Sequence, residues 1–393
     1  MLGEVPPGAR IVQLDKGHLW RAVAYGLASE PGAWKLLARL KLKPLKRLFR
    51  RLPALVDYLR SARPDAVFAA EPGYSAIAVW ARRLSGLRGR VVVSERIQVS
   101  RYAPVRSPWG SPRQRPLLQR AYLKADAIVA VSEGVANDLA TYAGIPRDRI
   151  TTVYNPVVGP DLIAKAREPL DHPWFAPGEP PVILGAGRLD PQKDFATLVR
   201  AFARLRARRT ARLVILGAHG PPELAYAADL KALPRELGVA GDVEMPGFVD
   251  NPYAFMARAA VFVLSSTYEG LPGVLIQALA CGCPVVSTDC PSGPREILDH
   301  GRFGPLVPVG DAAALAAAIE RVLDDPPPAE RLRARAELFS VERAVDRSLA
   351  LLFPDHEEVP SPVPAEAGST PTAPGTGTNQ ALDRGGRRAG VAA

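Results

Sequence analysis

Cysteine is scarce: three in 393 residues, Cys281, Cys283 and Cys290, all within ten positions. An odd, clustered set makes no disulfide framework and points to a reducing compartment. Cys281-Gly282-Cys283 has no His or second Cys pair at zinc spacing, so it reads as small buried residues beside a helix end, and no metal site is expected. No run of 18 apolar residues occurs, so no transmembrane helix is expected. The opening MLGEVPPGAR lacks the basic-then-apolar layout of a signal peptide. Aromatics are also few, at 7%. The 47% apolar and 23% charged shares are nonetheless those of a globular protein, which excludes disorder of the whole chain. At about 150 residues per domain, the length suggests two domains with a tail.

The formal charge of +10 is uneven. Residues 1–170 hold 28 Lys and Arg against 13 Asp and Glu, while residues 171–353 hold 19 against 22. A basic half facing something anionic follows: a membrane, a nucleic acid or a phosphorylated ligand. Residues 354–393 contain six Pro and six Gly and few large apolar side chains, and read as a disordered tail.

Short β-branched runs alternate with helical patterns. Strands are expected at 10–14, 66–69, 91–94, 127–131, 150–153, 182–186, 212–216, 243–245, 261–264 and 284–287, with helices between them, for example at 194–208, 222–237 and 274–280. Such runs suit strands buried on both faces, hence an α/β fold with parallel sheets and right-handed crossovers. Seven prolines between 155 and 181 divide the pattern. They give an N-terminal domain over 1–165, a linker over 166–181, a second domain over 182–340 and a helix over 341–353 that packs back. In open parallel sheets the ligand sits beyond the carboxyl ends of the strands, so the loops there carry the chemistry.

Four loops of the C-terminal half follow strands. Gly187 lets a ligand approach the backbone, and Arg188 and Lys193 place two cations near a helix start that already favours anions. They suit a diphosphate, or are a surface pair with Asp194 as an N-cap. Gly217 either lines a nucleotide pocket or only reverses the chain. Gly247 would expose backbone to a base, with Phe248 packing beneath it or in the core. The fourth loop is the richest. Gly270, Leu271, Pro272, Gly273 and Val274 make a turn opening a helix, Glu269 precedes it, and Gln277 lies one turn inside. Free N–H groups near Gly273 and Val274 point at the cleft.

The stretch EGLPGVLIQALACG at 269–282, followed by PVVSTDCPSGPREIL, resembles the donor site of the family 4 glycosyltransferases. The Gly-Arg-Leu-x-x-x-Lys pattern at 187–193 and Pro-Gly-Phe-Val at 246–249 are similar to that family's other donor motifs, in the same order. The resemblance implies a retaining enzyme of the GT-B fold: two Rossmann-like domains facing a cleft, the N-terminal one incomplete here, with no metal and no cofactor besides a nucleotide-diphosphate sugar as donor substrate. It implies that Arg188 and Lys193 hold the diphosphate, that Glu269 contacts the transferred sugar, and that backbone from Gly270 to Val274 cradles both. Gln277 stands where the family carries a second Glu that bonds the ribose; Gln keeps an acceptor and adds a donor. The family also carries about 50 residues of strand, glycine-rich loop and helix before the point where this chain begins. Other GT-B activities, such as an epimerase or a phosphorylase, and a non-catalytic sugar-nucleotide or membrane-binding module are the rival readings.

The acceptor side is less explicit. Glu95 and Arg96 follow one strand and Ser132 another; they face the acceptor, or form a surface pair and a helix cap. Residues 34–55 interleave Lys35, Arg39, Lys41, Lys43, Lys46, Arg47, Arg50 and Arg51 with Leu and Phe, with no acidic residue among them. The segment suits an anionic bilayer surface, each cation adding on the order of 1 kcal/mol, or is a solvated helix face. No aromatic-rich RNA motif accompanies it, so no nucleic acid partner is expected. The expected partners are a nucleotide-sugar, a lipid-linked or glycan acceptor and the inner face of the cell membrane, with the chain cytoplasmic and peripheral. Neutralising the eight cations should release the protein from anionic liposomes in a flotation assay; unchanged flotation would reject the membrane assignment.

Overall fold

The computed structural model describes residues 9–15, 18–29, 49–102, 115–220 and 224–355. Two parallel sheets organise them. The first has four strands in the order β1-β2-β3-β4: Ala66–Ala70, Arg90–Glu95, Ala127–Ala130 and Ile150–Thr152. The second has six in the order β10-β9-β8-β5-β6-β7: Val182–Ala186 (β5), Arg212–Leu216 (β6), Val243–Gly247 (β7), Val261–Leu264 (β8), Val285–Thr288 (β9) and Leu306–Val307 (β10). Every strand pair in both sheets is parallel. The α/β expectation holds, and nine of the ten expected strands are present.

The exception is 10–14, which carries no strand. A short apolar run becomes a strand only where a neighbour completes its ladder, and among the described residues β1 pairs with β2 alone. β10 went unforeseen because two residues leave no periodicity to read.

Strands β5 and β8 are buried at every position, as their unbroken apolar runs require. Helix Phe195–Arg206 covers one face of the second sheet through Phe195, Leu198, Val199, Phe202 and Leu205. Its start is set by Asp194, which accepts from Thr197 N and binds Thr197 Oγ1 at 2.6 Å. The main core is continuous between the halves, from Leu55 and Trp80 to Phe262, Leu279 and Phe339. The last helix, Val341–Leu352, returns to the first sheet, where Leu351 and Leu352 pack on Val92, Val129 and Val153.

The proline-rich stretch after β4 is folded. Helix Pro160–Ala166 lies in it. His172, Phe175 and Phe255 meet edge to face. Asn251 and Arg258 donate to the carbonyls of Lys165 and Glu168. Among the described residues no helix is long and apolar enough to cross a membrane. The tail beyond residue 355 lies outside the described residues.

Order in the second sheet reverses at β5, which has β6 on one side and β8 on the other. Ligands of such sheets bind at that crevice. On helix Phe195–Arg206, Phe202 has no exposed surface. Phe202→Ala should therefore lower stability by about 3–5 kcal/mol in denaturant unfolding.

Candidate functional site

The floor of the crevice is bare backbone. Gly187, Gly217 and Gly247 stand side by side at the carboxyl ends of β5, β6 and β7. Gly187 N donates to Leu216 O at 2.9 Å and Gly217 N to Gly247 O at 2.8 Å. Gly217 has φ +139°, and a Cβ there would lie 1.8 Å from the Gly187 carbonyl oxygen. Only glycine fits. Phe248 is 75% exposed, so it packs neither beneath this floor nor in the core.

Across the strand-order reversal, the loops after β5 and β8 are tied together. Thr267 N donates to Gln192 O at 2.8 Å, Ser265 Oγ to Lys193 O at 2.7 Å, and Gln192 Nε2 to Tyr268 O at 3.0 Å. These bonds bring Lys193 Nζ to 2.6 Å from Glu269 Oε1, with the side chains only 14% and 8% exposed. Ser266 Oγ donates to the same oxygen at 2.7 Å. Arg188 pairs with Asp190 at 3.0 Å; its head is half in solvent while Asp190 is buried. Arg188 and Lys193 thus each already hold a carboxylate. Asp190 lies inside the 187–193 motif and Ser266 three residues before the 269–282 motif, and neither carries a role that the sequence signals.

Pro272 opens helix Gly273–Ala280 with no side chain capping it, so its first N–H groups remain oriented donors. Gln277 Nε2 lies 3.5 Å from the Tyr253 hydroxyl. At Gly270 the two halves meet closely: a Cβ on it would lie 2.0 Å from the Arg96 carbonyl oxygen. Leu271, Pro272 and Gly273 follow directly, and a Cβ on Gly293 would strike Pro272 Cδ at 2.4 Å.

Arg96 is therefore brought to the loop that carries Gly270. Its guanidinium donates to Asn155 Oδ1 at 2.5 Å, and burial lowers its pKa while the charge of Glu71 opposes that shift. Ser132 both caps and clasps. Its Oγ accepts from Val135 N at 3.1 Å, donates to Gly270 O at 2.9 Å, and lies 2.7 Å from Ser292 Oγ. Beside it Glu296, from the second sheet's side, accepts from Glu133 N at 2.9 Å and Gly134 N at 2.8 Å. A carboxylate from one half so covers the helix N-terminus of the other. Ser292 and Glu296 lie within the quoted motif, but their partners are about 160 residues away in sequence, and nothing local signals them.

Glu95 behaves differently from the expectation of a cleft residue. It has no exposed surface, and Tyr122 donates its hydroxyl to Oε1. Burial, with the charges of Glu71 and Asp138, pushes its carboxyl well above the ordinary range. Its Oε2, with Ser94 Oγ and Gln98 Oε1, is buried without a partner. Glu71, at the carboxyl end of β1, was not singled out from sequence. It adopts φ 73°, ψ 148°, close to a region essentially confined to glycine, at a cost of about 1–3 kcal/mol.

Of the basic segment, Lys35, Arg39, Lys41, Lys43, Lys46 and Arg47 lie outside the described residues. Arg50 and Arg51 lead into helix Leu52–Ala62, and Arg51 donates to the Tyr74 hydroxyl at 3.1 Å. That places the end of the segment beside the start of helix Pro72–Ser85, at the cleft end of the first sheet.

The comparisons with known proteins agree with this layout. The family described as Glycosyl transferases group 1 matches residues 167–339, and Glycosyltransferase Family 4 matches 25–158. An N-acetylgalactosamine-N,N'-diacetylbacillosaminyl-diphospho-undecaprenol 4-alpha-N-acetylgalactosaminyltransferase of Campylobacter jejuni is 33% identical over 301 residues, 76% of each chain. The lipopolysaccharide core biosynthesis glycosyltransferase LpsE of Rhizobium meliloti is 34% identical over 236 residues, 59% of this chain and 65% of that one. Among solved structures, Anabaena HepE in complex with UDP superposes with a TM-score of 0.66 at 20% identity, over 86% of this chain and 97% of that one. The lipopolysaccharide outer core galactosyltransferase WaaB superposes with a TM-score of 0.62 at 23% identity, over 81% and 83%. Both share the GT-B fold.

A carboxyl raised in the folded state stabilises the fold below its unfolded pKa and loses that contribution as pH climbs through its folded value. Glu95→Gln keeps the oxygen that Tyr122 bonds and removes the titration. Denaturant unfolding should find it more stable than the wild type at pH 8, with the gap narrowing at pH 5.

Proposed function

The chain belongs to the family 4 glycosyltransferases, and from that premise we propose that it is a retaining enzyme acting on a nucleotide-diphosphate sugar, with a lipid-linked or glycan acceptor at the cytoplasmic face of a membrane. The observation that carries this reading is the Lys193–Glu269 pair at the strand-order reversal, opposite Arg96 of the other half.

A donor diphosphate takes the place of Glu269 at Lys193, and Arg188, steered by Asp190, adds a second cation. Glu269, released from Lys193, accepts hydrogen bonds from the sugar hydroxyls. The bond from the anomeric carbon to the diphosphate oxygen breaks, its electron pair leaving with the diphosphate. The cations and the Gly273 helix start stabilise that charge. The acceptor oxygen bonds to the anomeric carbon on the same face and passes its proton to the departing phosphate, so the configuration is retained. Charge neutralisation by Arg188 and Lys193 supports a metal-independent reaction. The bare glycine floor suits a nucleotide lying across β5 to β7. The Campylobacter relative's diphospho-undecaprenol-linked substrate and the basic segment ending at Arg51 support a lipid-linked acceptor met at a membrane surface.

The test is transfer from UDP-glucose, UDP-galactose and UDP-N-acetylgalactosamine to a panel of polyprenyl-diphosphate-linked and free glycan acceptors. The product's anomeric configuration is read by NMR. Turnover should survive EDTA. Glu269→Gln and Arg188→Ala should each lower it by about 10²-fold or more while the circular-dichroism melt stays in place. Unaffected turnover in both variants would sink the site assignment.

A further inference from the structure

Glu71 occupies a backbone conformation that side chains avoid, at φ 73°, and its charge acts both ways on the fold, favouring the Arg96 guanidinium and disfavouring an ionised Glu95. Its N–H donates to Ser94 O and its carbonyl accepts from Ser75 N; glycine would make both bonds without strain. It precedes helix Pro72–Ser85, yet its side chain caps nothing and is exposed. Position 71 thus needs its backbone shape, and the Glu side chain works against it.

What the carboxylate faces is more informative. β1 lies next to β2, with Ala70 in register with Ser94, so Glu71 emerges beside Glu95 and Arg96. Its charge acts on both. Arg96 in turn abuts Gly270 of the donor loop. At the end of β2 Ser94 Oγ and Glu95 Oε2, and beyond it Gln98 Oε1, are buried with no partner among the described residues. An ionised carboxylate only accepts, so the ligand it recognises brings donors, as sugar hydroxyls do.

We propose that Glu71 is an acceptor-binding residue that takes a hydrogen bond from a hydroxyl of the acceptor sugar and holds it toward the Arg96–Gly270 junction. This rests on the glycosyl-transfer reading and adds a specificity-determining residue to its acceptor side. A non-carboxylate at position 71 forfeits one charge-assisted hydrogen bond to the acceptor and leaves the donor's contacts alone.

The experiment compares wild type, Glu71→Gly and Glu71→Gln. Thermal unfolding is read for each, and initial rates are read against acceptor and donor separately, with the acceptor the wild type glycosylates in the panel above. Glu71→Gly should melt at or above the wild-type temperature. Both variants should raise the acceptor KM by about tenfold and keep the donor KM within about twofold. A Glu71→Gly that melts more than about 2 °C lower would make the residue structural and overturn the proposal. So would an unchanged acceptor KM. Failure of the glycosyl-transfer reading appears separately, as a wild type silent on every acceptor; the unfolding comparison still judges Glu71 in that case.

Discussion

The 2.6 Å contact between Lys193 and Glu269 is the interaction around which the second half is arranged. Two charges this sheltered cost several kcal/mol each to desolvate unless they are paired and hydrogen-bonded. The pairing requires two loops from strands β5 and β8, and those strands are neighbours only because the sheet order reverses between them. Ser265, Gln192 and Thr267 tie the loops at the backbone, so the ion pair rests on a rigid frame. At rest the site is internally neutral. In the proposed reaction, donor binding is an exchange of one anion for another at Lys193, which avoids creating a bare buried cation.

The second constraint is steric. Gly217 can sit where it does because it has no Cβ, and Gly270 because the Arg96 carbonyl oxygen fills the space a Cβ would take. Glycine at these places lets backbone approach backbone, which leaves room and N–H groups for a ligand. Around the second approach, the Ser132–Ser292–Gly270 cluster and the Glu296 cap join the halves through groups that each solve a local problem. A helix start needs acceptors, and the opposite half supplies one.

The layers of the fold were readable because buried parallel strands are β-branched runs, and nine such runs are strands. The run at 10–14 failed because a strand is a property of two chains' worth of backbone, not of one. Within the site, Lys193, Glu269 and the glycine floor were readable from motif and spacing. Glu95 was misplaced: residue type and a position after a strand suggested an exposed carboxylate, but strand β2 runs one residue further and turns it inward to Tyr122. Ser132 is a helix cap with no exposed surface, and its hydroxyl also ties down the Gly270 carbonyl of the other half.

By itself the sequence determined the α/β alternation, the loops that carry charge, and the family that those loops resemble, because periodicity and short motifs are local. Only the tertiary structure decided that Arg188 and Lys193 each hold a carboxylate, that Arg96 lies against Gly270, that Glu296 caps a helix from the other half, and that Glu71 bears a strained backbone. Those four depend on strand order and on the meeting of two sheets, and distances between residues far apart in the chain leave no trace in local pattern.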